Sequence, residues 1–530
     1  MLQDNLLLII ALLMGVSLLS VLSRKLNISY PIFLVLAGLV IGIIPGIPHI
    51  SLNPDLVFII FLPPLLYSAA WNTSWNDFWF YKRSIGLLAF GLVIFTAGAV
   101  AVVAHKVIPG FSLSLGFLLG GIISPPDAIA ATSVLQNLKV SRRAVTVLEG
   151  ESLVNDASSL IVFRFSLAAV LTGQFSLWKA EVSFFEVALM GIVIGLIIGH
   201  IMYAVHRFLP TTPSIDTAIN LITPYLLYVT AEHFHYSGVL SVVTGGLFLS
   251  FRSHEIFSYG SRLQSQSVWN TLVFLLNGVV FILIGLQLPF IVEGLGDYSL
   301  RDAIRYAVII SVVTIVVRLL WIYPAAYIPR WLSSRIRKQE PDPGWKGVLV
   351  VGWSGMRGVV SLASALSIPL LANGVEFPHR NLILFITFIV ILCTLVLQGL
   401  SLPWMIRLLK LEVQENGEMQ ELNIRLKLAE ASIDYMEENY SEESATVEPF
   451  RRLKERYERM AENANKRLTK TEEKESDIAA YIPEYRRMLL ELIEVRRTEL
   501  EKMRRNREYN DELIRSKEYE LDLEEARMRR

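Results

Sequence analysis

Apolar residues fill the first 410 positions in blocks of roughly 20, the length a helix needs to cross a bilayer's hydrocarbon layer. Short polar segments separate the blocks. On that ruler the pattern predicts about thirteen spanning helices, at residues 5–22, 31–45, 54–71, 84–105, 112–136, 143–172, 182–206, 215–234, 238–252, 268–289, 301–328, 346–372 and 380–409. The first block, Leu6 to Leu22, lacks a basic amino-terminal flank and a small-residue cleavage site, so it reads as a spanning helix rather than a leader. Alternate connections carry most of the basic residues: Arg24 and Lys25; Lys82 and Arg83; Lys139, Arg142 and Arg143; Arg207; Arg252 and Arg262; and Arg330, Arg335, Arg337, Lys338 and Lys346. The opposite connections hold fewer, among them Lys106, Lys179, Arg301, Arg305 and Arg380, beside Glu293 and Asp297. The positive-inside rule then puts the amino terminus outside and the carboxyl-terminal tail in the cytoplasm, as an odd number of spans requires.

Two blocks contain signals that a smooth helix avoids. Pro125 and Pro126 remove two backbone donors and disfavour the α conformation of the residue before each, so Ser124 to Asp127 is expected to be unwound at mid-membrane. Gly347, Gly352, Gly355 and Gly358 flank Arg357 and mark a second break. Interrupted helices in two halves of a chain point to a transport site at an inverted-repeat interface, although no residue-level repeat is visible here. The broken ends expose partial charges that need counter-charges, and Asp127 and Arg357 have the signs to supply them.

Composition sharpens this division. The 530 residues are 53% hydrophobic, and the zero net charge averages two unlike parts. Of the 49 acidic and 49 basic residues, 31 and 24 lie in residues 411–530, leaving 18 and 25 for residues 1–410. The reading is an all-α polytopic membrane domain at 1–410 followed by a charged helical cytoplasmic domain at 411–530. In the tail, Pro449 and Pro483 divide predicted helical stretches whose apolar positions are too irregular for a long coiled coil, which favours a solvated helix or a helical hairpin. Its basic residues are too interleaved with acids to suggest nucleic acid as a partner. A lone cysteine, Cys393, excludes an internal disulfide framework and a multi-cysteine metal site. No hydrolytic triad, phosphate loop or zinc spacing appears, so neither an enzyme nor a cofactor is expected.

The candidate chemistry lies between Gly120 and Phe165, where apolar sequence is interrupted by Asp127, Glu149, Glu151, Asn155 and Asp156. An ionised side chain in hydrocarbon costs roughly 2.5 to 3.5 kcal/mol even on a lenient scale, so such residues point to an ion or proton pathway. Helical spacing puts Ser152, Asp156 and Ser159 on one face, with Glu151 and Asn155 on the next. Ser152 and Asp156 can offer oxygens to one small hard cation, completed by carbonyls freed at Pro125 and Pro126 or by water. The structural alternative is that Glu151 and Asp156 pair with Arg164, Arg318 or Arg357. His105, His200, His206, His233, His235 and His254 stand near predicted helix ends, where a histidine either meets water or senses pH.

Four motifs in order resemble the monovalent cation:proton antiporters of the sodium/proton exchanger family, in particular its bacterial NhaP-like branch: Phe61 to Trp71 (FLPPLLYSAAW), Ile123 to Ala130 (ISPPDAIA), Leu148 to Ser159 (LEGESLVNDASS) and Gly352 to Leu366 (GWSGMRGVVSLASAL). The resemblance covers residues 1 to about 410. It implies a thirteen-helix homodimer with inverted repeats and two broken crossing helices, in which a core domain carries Na+ (or Li+, or K+) against H+. Carried over residue by residue, it makes Asp156 the cation and proton carrier, Ser152 a hydroxyl ligand and Asn155 an orienting amide. The same resemblance implies that Glu151 pairs with Arg357, and that Asp127 stabilises the helix crossing together with Arg318. The Asn155-Asp156 pair resembles the electroneutral branch. Two departures stand out: Pro125-Pro126-Asp127-Ala128 lacks the threonine of the family's PTDP, leaving the Pro126 carbonyl, and Tyr67-Ser68-Ala69-Ala70 replaces FEAA, leaving Ser68 where relatives have a carboxylate. Together these readings describe a bacterial inner-membrane exchanger embedded in lipid.

Overall fold

A computed structural model of the chain describes residues 2–26, 28–44, 57–135, 140–173, 177–296, 298–340, 342–372, 374–410, 416–468, 477–506, 517–518, 520–525 and 528. The chain forms two compact units, Met1–Val413 and Gln414–Arg530. Lys139 and Asp297, named above among the loop charges, lie outside the described residues.

In the first unit the apolar blocks become helices α1 (Leu2–Lys25), α2 (Tyr30–Gly42), α3 (Val57–Asn72), α4 (Lys82–Val107), α5 (Leu113–Ile123), α6 (Ala128–Leu135), α7 (Arg142–Thr172), α8 (Leu177–Phe208) and α9 (Pro213–His233). They continue as α10 (Gly238–Phe251), α11 (Tyr259–Leu286), α12 (Leu300–Leu332), α13 (Trp345–Trp353), α14 (Val359–Leu366) and α15 (Arg380–Leu408). Each expected block contains one helix, except that the fifth is split into α5 and α6 and the twelfth into α13 and α14. Among the described residues eight helices are long and apolar enough to cross a membrane, and α2, α3 and α10 are shorter apolar ones. The protein is therefore an all-α polytopic membrane protein.

Local sequence fixes many of the helix starts. Ser112, Ser141, Thr212, Ser237, Ser258 and Ser299 each accept a hydrogen bond from the backbone N–H three residues on, at 3.1 to 3.4 Å. Such caps satisfy donors that a helix start would otherwise leave bare. Helix α7 ends at Gly173, whose φ of +68° closes the last turn in the left-handed region.

Small residues set the closest approaches. A Cβ added at Gly116 or Gly120 of α5 would lie 2.6 Å from the Cα of Ala101 or Ala97 on α4. At Gly38 of α2 and Gly285 of α11 it would lie 2.4 Å from the Ile282 carbonyl oxygen and 2.3 Å from that of Val35. Where lipid is as apolar as leucine, this close packing does what water exclusion does in a soluble core. One apolar cluster gathers residues of α2, α4, α5, α12 and α15, and a second those of α3, α9 and α10. Helix α7 contributes Leu148 to the first and Leu153 and Val154 to the second, so it runs between them. Conversely, α1 and α8 leave Leu7, Met14, Leu18, Leu189, Ile197 and Ile201 exposed, as suits a face solvated by lipid.

The second unit contains α16 (Asn416–Asn439), α17 (Glu448–Leu468) and α18 (Asp477–Asn506). Helices α16 and α17 pack along each other, linked by Lys454 and Glu437 at 2.8 Å. Pro449 falls in the first turn of α17, where its missing N–H costs nothing, whereas α18 continues through Pro483.

Candidate functional site

The site is assembled where the two interrupted helices meet the middle of α7. Between α5 and α6 the residues Ser124 to Asp127 are not helical, and between α13 and α14 the chain is open from Ser354 to Gly358. The two openings touch: the Asp127 N–H donates to the Met356 carbonyl at 2.6 Å. Close contact is possible because residue 358 is glycine, since a Cβ there would lie 1.9 Å from Asp127 Oδ2.

Three of the four broken ends find a counter-charge. Asp127 Oδ1 accepts from the Ile129 N–H at 2.8 Å, which puts its carboxylate at the positive end of α6. Arg357 donates from Nε to the Ile123 carbonyl at 2.9 Å, from Nη2 to that of Ser124 at 3.4 Å and from Nη1 to that of Gly355. Its guanidinium thus covers the negative end of α5. Arg318 of α12 does the same for α13, donating to the Val351 and Gly352 carbonyls at 3.1 Å each.

The ion pairing corrects two expectations. Glu151 is held by Arg318 and not by Arg357: Nη1 and Nη2 meet its two carboxylate oxygens at 2.5 and 2.8 Å, with Arg318 fully buried and Glu151 only 1% exposed. Asp127 correspondingly has backbone partners rather than Arg318. The reason is geometric: Arg357 gives Nε and both terminal nitrogens to carbonyls, whereas Arg318 gives only Nε and one N–H of Nη2 to carbonyls and keeps Nη1 and the other Nη2 N–H for the two oxygens of Glu151. Arg164 pairs instead with Glu232, at 2.6 Å.

Helix α7 fastens the unwound segment from the other side. Asn155 donates from Nδ2 to the Pro126 carbonyl at 3.1 Å, and Ser152 Oγ accepts from the Ala128 N–H at 3.2 Å. Asp156, one position beyond Asn155 and four beyond Ser152, faces a cavity of about 310 Å³. Asp127, Glu149, Ser152, Asp156, Pro126 and Ser68 all line it. Glu149, Ser152 and Asp156 fall three and seven positions apart along one helical face, which explains their common direction. Ser68 is buried beside Asn72, whose amide donates to its carbonyl at 2.9 Å.

Sequence reasoning left Glu149 without a role and did not select Tyr30, Asn72, Asn277 or Ser361, which also line the cavity. A single amide inside the apolar block Leu272 to Leu286 was the available signal for Asn277. Of the histidines, His206 is buried rather than interfacial, its Nδ1 lying 3.1 Å from Asp216 Oδ1, and it does not line the cavity. Among the described residues no group of three or more His, Cys, Asp or Glu side chains could hold a resident metal ion. What the cavity offers is a set of carboxylate, hydroxyl, amide and carbonyl oxygens, the ligands that hard cations prefer.

Two interrupted helices crossing beside buried acids define a polytopic membrane protein with a polar site among its spanning helices. Residues 8–408 match the family model described as "Sodium/hydrogen exchanger, transmembrane", and the chain belongs to that family. The "Sodium, potassium, lithium and rubidium/H(+) antiporter" of Bacillus pumilus (strain SAFR-032) is 32% identical over 430 residues, 79% of this chain and 64% of the relative, so the chain spans less than two thirds of that protein. The "Na(+)/H(+) antiporter ApNhaP" of Aphanothece halophytica is 32% identical over 413 residues, covering 77% of this chain and 75% of the relative. Among solved structures, the sodium proton antiporter MjNhaP1 from Methanocaldococcus jannaschii at pH 8 is similar in fold, with a TM-score of 0.62 at 20% identity over 77% of this chain and 99% of that one. These likenesses are to NhaP-like antiporters.

Proposed function

We propose that the protein is a secondary antiporter that exchanges Na+ or Li+ for H+ at Asp156, one cation for one proton. The observation that carries this reading is the placement of the buried Asp156 against the cavity, beside an unwound segment held by Asn155 and Ser152. A carboxylate so placed holds either a proton or a cation, and gains from neither when the other is bound. Ser152 and the Pro126 carbonyl each keep a lone pair beyond the hydrogen bond they accept, so both can join Asp156 around a dehydrated ion. Asp127 adds a second negative charge to the cavity while capping α6. Asn155 orients the Pro126 carbonyl through its amide.

In this proposal the crossing helices and α7 move together, since Arg318, Arg357, Asn155 and Ser152 tie them to one another. The glycine-packed pair α2 and α11 forms the surface they move against. The protein works as a homodimer in the bacterial inner membrane, with lipid around it, the amino terminus outside and residues 411–530 as a cytoplasmic domain. The name of the Bacillus pumilus relative, which includes potassium, favours K+/H+ exchange as the second reading.

The test is a pH-sensitive dye trapped in everted membrane vesicles energised by respiration. Adding sodium or lithium is expected to collapse the pH gradient and restore fluorescence, with potassium acting more weakly. No response to any of the three would rule out monovalent cation/proton exchange, and a response to potassium alone would replace the first reading by the second.

A further inference from the structure

Asn277 is one of the polar groups lining the cavity that the exchange cycle above does not use. It is 2% exposed, and its side-chain oxygen has no hydrogen-bond partner among the described residues. A buried acceptor left unpaired costs free energy, so a helix interior otherwise built from Leu, Val, Phe and Ile would be better off with an apolar residue there. Retreat is not open to it. The next residue, Gly278, packs so closely on α1 that a Cβ would lie 2.2 Å from Val16 Cγ1, and Gly285 locks the same helix against α2. Helix α11 is therefore held in place with Asn277 facing the cavity that Asp127 and Asp156 share. Tyr30 of α2 is its neighbour there.

Of the other neutral oxygens in the cavity, Ser361 Oγ on α14 likewise has no partner among the described residues, but it belongs to the crossing helices, whereas Asn277 is carried by α11. The Pro126 carbonyl and Ser152 Oγ each accept one hydrogen bond, and Ser68 Oγ lies 3.5 Å from the Asn72 amide. A dehydrated monovalent cation needs several oxygens, and a carboxylate alone leaves it under-coordinated. We infer that Asn277 is a specificity-determining cation ligand: its side-chain carbonyl oxygen, presented by the stationary helix α11, joins Asp156 around the bound ion and so sets which cation is accepted. Being neutral, it leaves the charge balance of the cycle alone. Because the oxygen is fixed by α11, the ion it suits best is the one whose radius spans the gap to Asp156, so loss of the oxygen changes the ratio between cations and not only the overall affinity. The inference rests on the reading that Asp156 is the exchanging carboxylate.

The experiment uses the full chain in proteoliposomes, with Asn277→Ala, Asn277→Ser and Asp156→Asn compared with the parent in sodium, lithium and potassium. Asn277→Ala is expected to raise the Km for sodium about tenfold, the worth of one good oxygen contact, to alter the lithium-to-sodium Km ratio, and to keep the maximal rate within about twofold. Asn277→Ser, which retains an oxygen on a shorter arm, is expected to fall between. In detergent, the sodium-induced rise in Tm should shrink for Asn277→Ala, while its Tm without sodium should stay close to that of the parent, because the loss of an unpaired buried oxygen offsets the loss of the contact with Tyr30. Unchanged Km values and an unchanged sodium-induced shift would overturn the inference. So would a lowered sodium-free Tm with equal rate losses for every cation, or failure of both variants to fold, since either makes the amide a packing group. Exchange surviving in Asp156→Asn would instead sink the reading of the site on which the inference stands.

Discussion

Replacing Asp156 by asparagine is expected to reduce exchange of sodium, lithium and potassium to background while the protein still inserts and purifies normally. The substitution conserves volume and removes only the charge, so the packing of α7 between its two apolar clusters is untouched. What disappears is the group that can hold either ion. Asp127 cannot replace it, because its carboxylate is committed to the Ile129 N–H and wedged against Gly358 in the crossing of the broken helices. Neutral oxygens alone do not offset the dehydration of a monovalent cation in a buried site. Dye recovery in everted vesicles measures the loss, and size-exclusion chromatography of the purified protein checks folding. Substantial transport in a well-folded Asp156→Asn would place the carrier elsewhere, with Glu149 the next carboxylate on that face.

The second large effect is on stability. Glu151→Gln leaves the fully buried Arg318 guanidinium without its counter-ion, which is expected to cost about 3 to 5 kcal/mol and to lower folded yield as well as activity. Arg318→Ala should be at least as damaging, since it also uncaps the Val351 and Gly352 carbonyls at the end of α13. The pairing makes a sharper forecast. Replacing both partners, as Glu151→Gln with Arg318→Met, should recover part of the loss because no charge is then left buried alone, whereas Glu151→Gln with Arg357→Met should be worse than either single change. Thermal unfolding in detergent decides between them, and recovery by the Arg357 combination would restore the pairing that the geometry rejects.

How far the sequence could be read depended on whether a feature was local. The prolines at 125 and 126 and the glycines around Arg357 announced both helix interruptions, because backbone donors and φ preferences act over a few residues. The four-residue spacing from Ser152 to Asp156 likewise put both on one face of α7, and both line the cavity. The choice of arginine was not local: Arg164, Arg318 and Arg357 sit on three elements, and only packing decides that Arg318 reaches Glu151 while Arg357 is consumed by helix-end carbonyls. Asn277 was hidden for a similar reason, since one amide in an apolar block looks the same whether it faces lipid, a neighbouring helix or a cavity. A proline alone was not a break: in the tail, Pro483 was expected to divide helical pieces, yet α18 runs through it. Pro224, Pro324, Pro329 and Pro403 lie inside helices that continue past them, as neighbouring helices in a membrane domain can absorb the lost hydrogen bond.

Competition at one carboxylate is the central claim, and initial rates of sodium transport in proteoliposomes, taken across a range of sodium concentrations at several pH values and with the membrane potential clamped, test it most directly. If Asp156 holds either a proton or a cation, the apparent Km for sodium should rise about tenfold for each unit of pH below the site's pKa, by simple mass action, while the maximal rate changes little and the clamped voltage has no effect. A Km that ignores pH, or a rate that follows the imposed voltage, would contradict one-for-one exchange at Asp156.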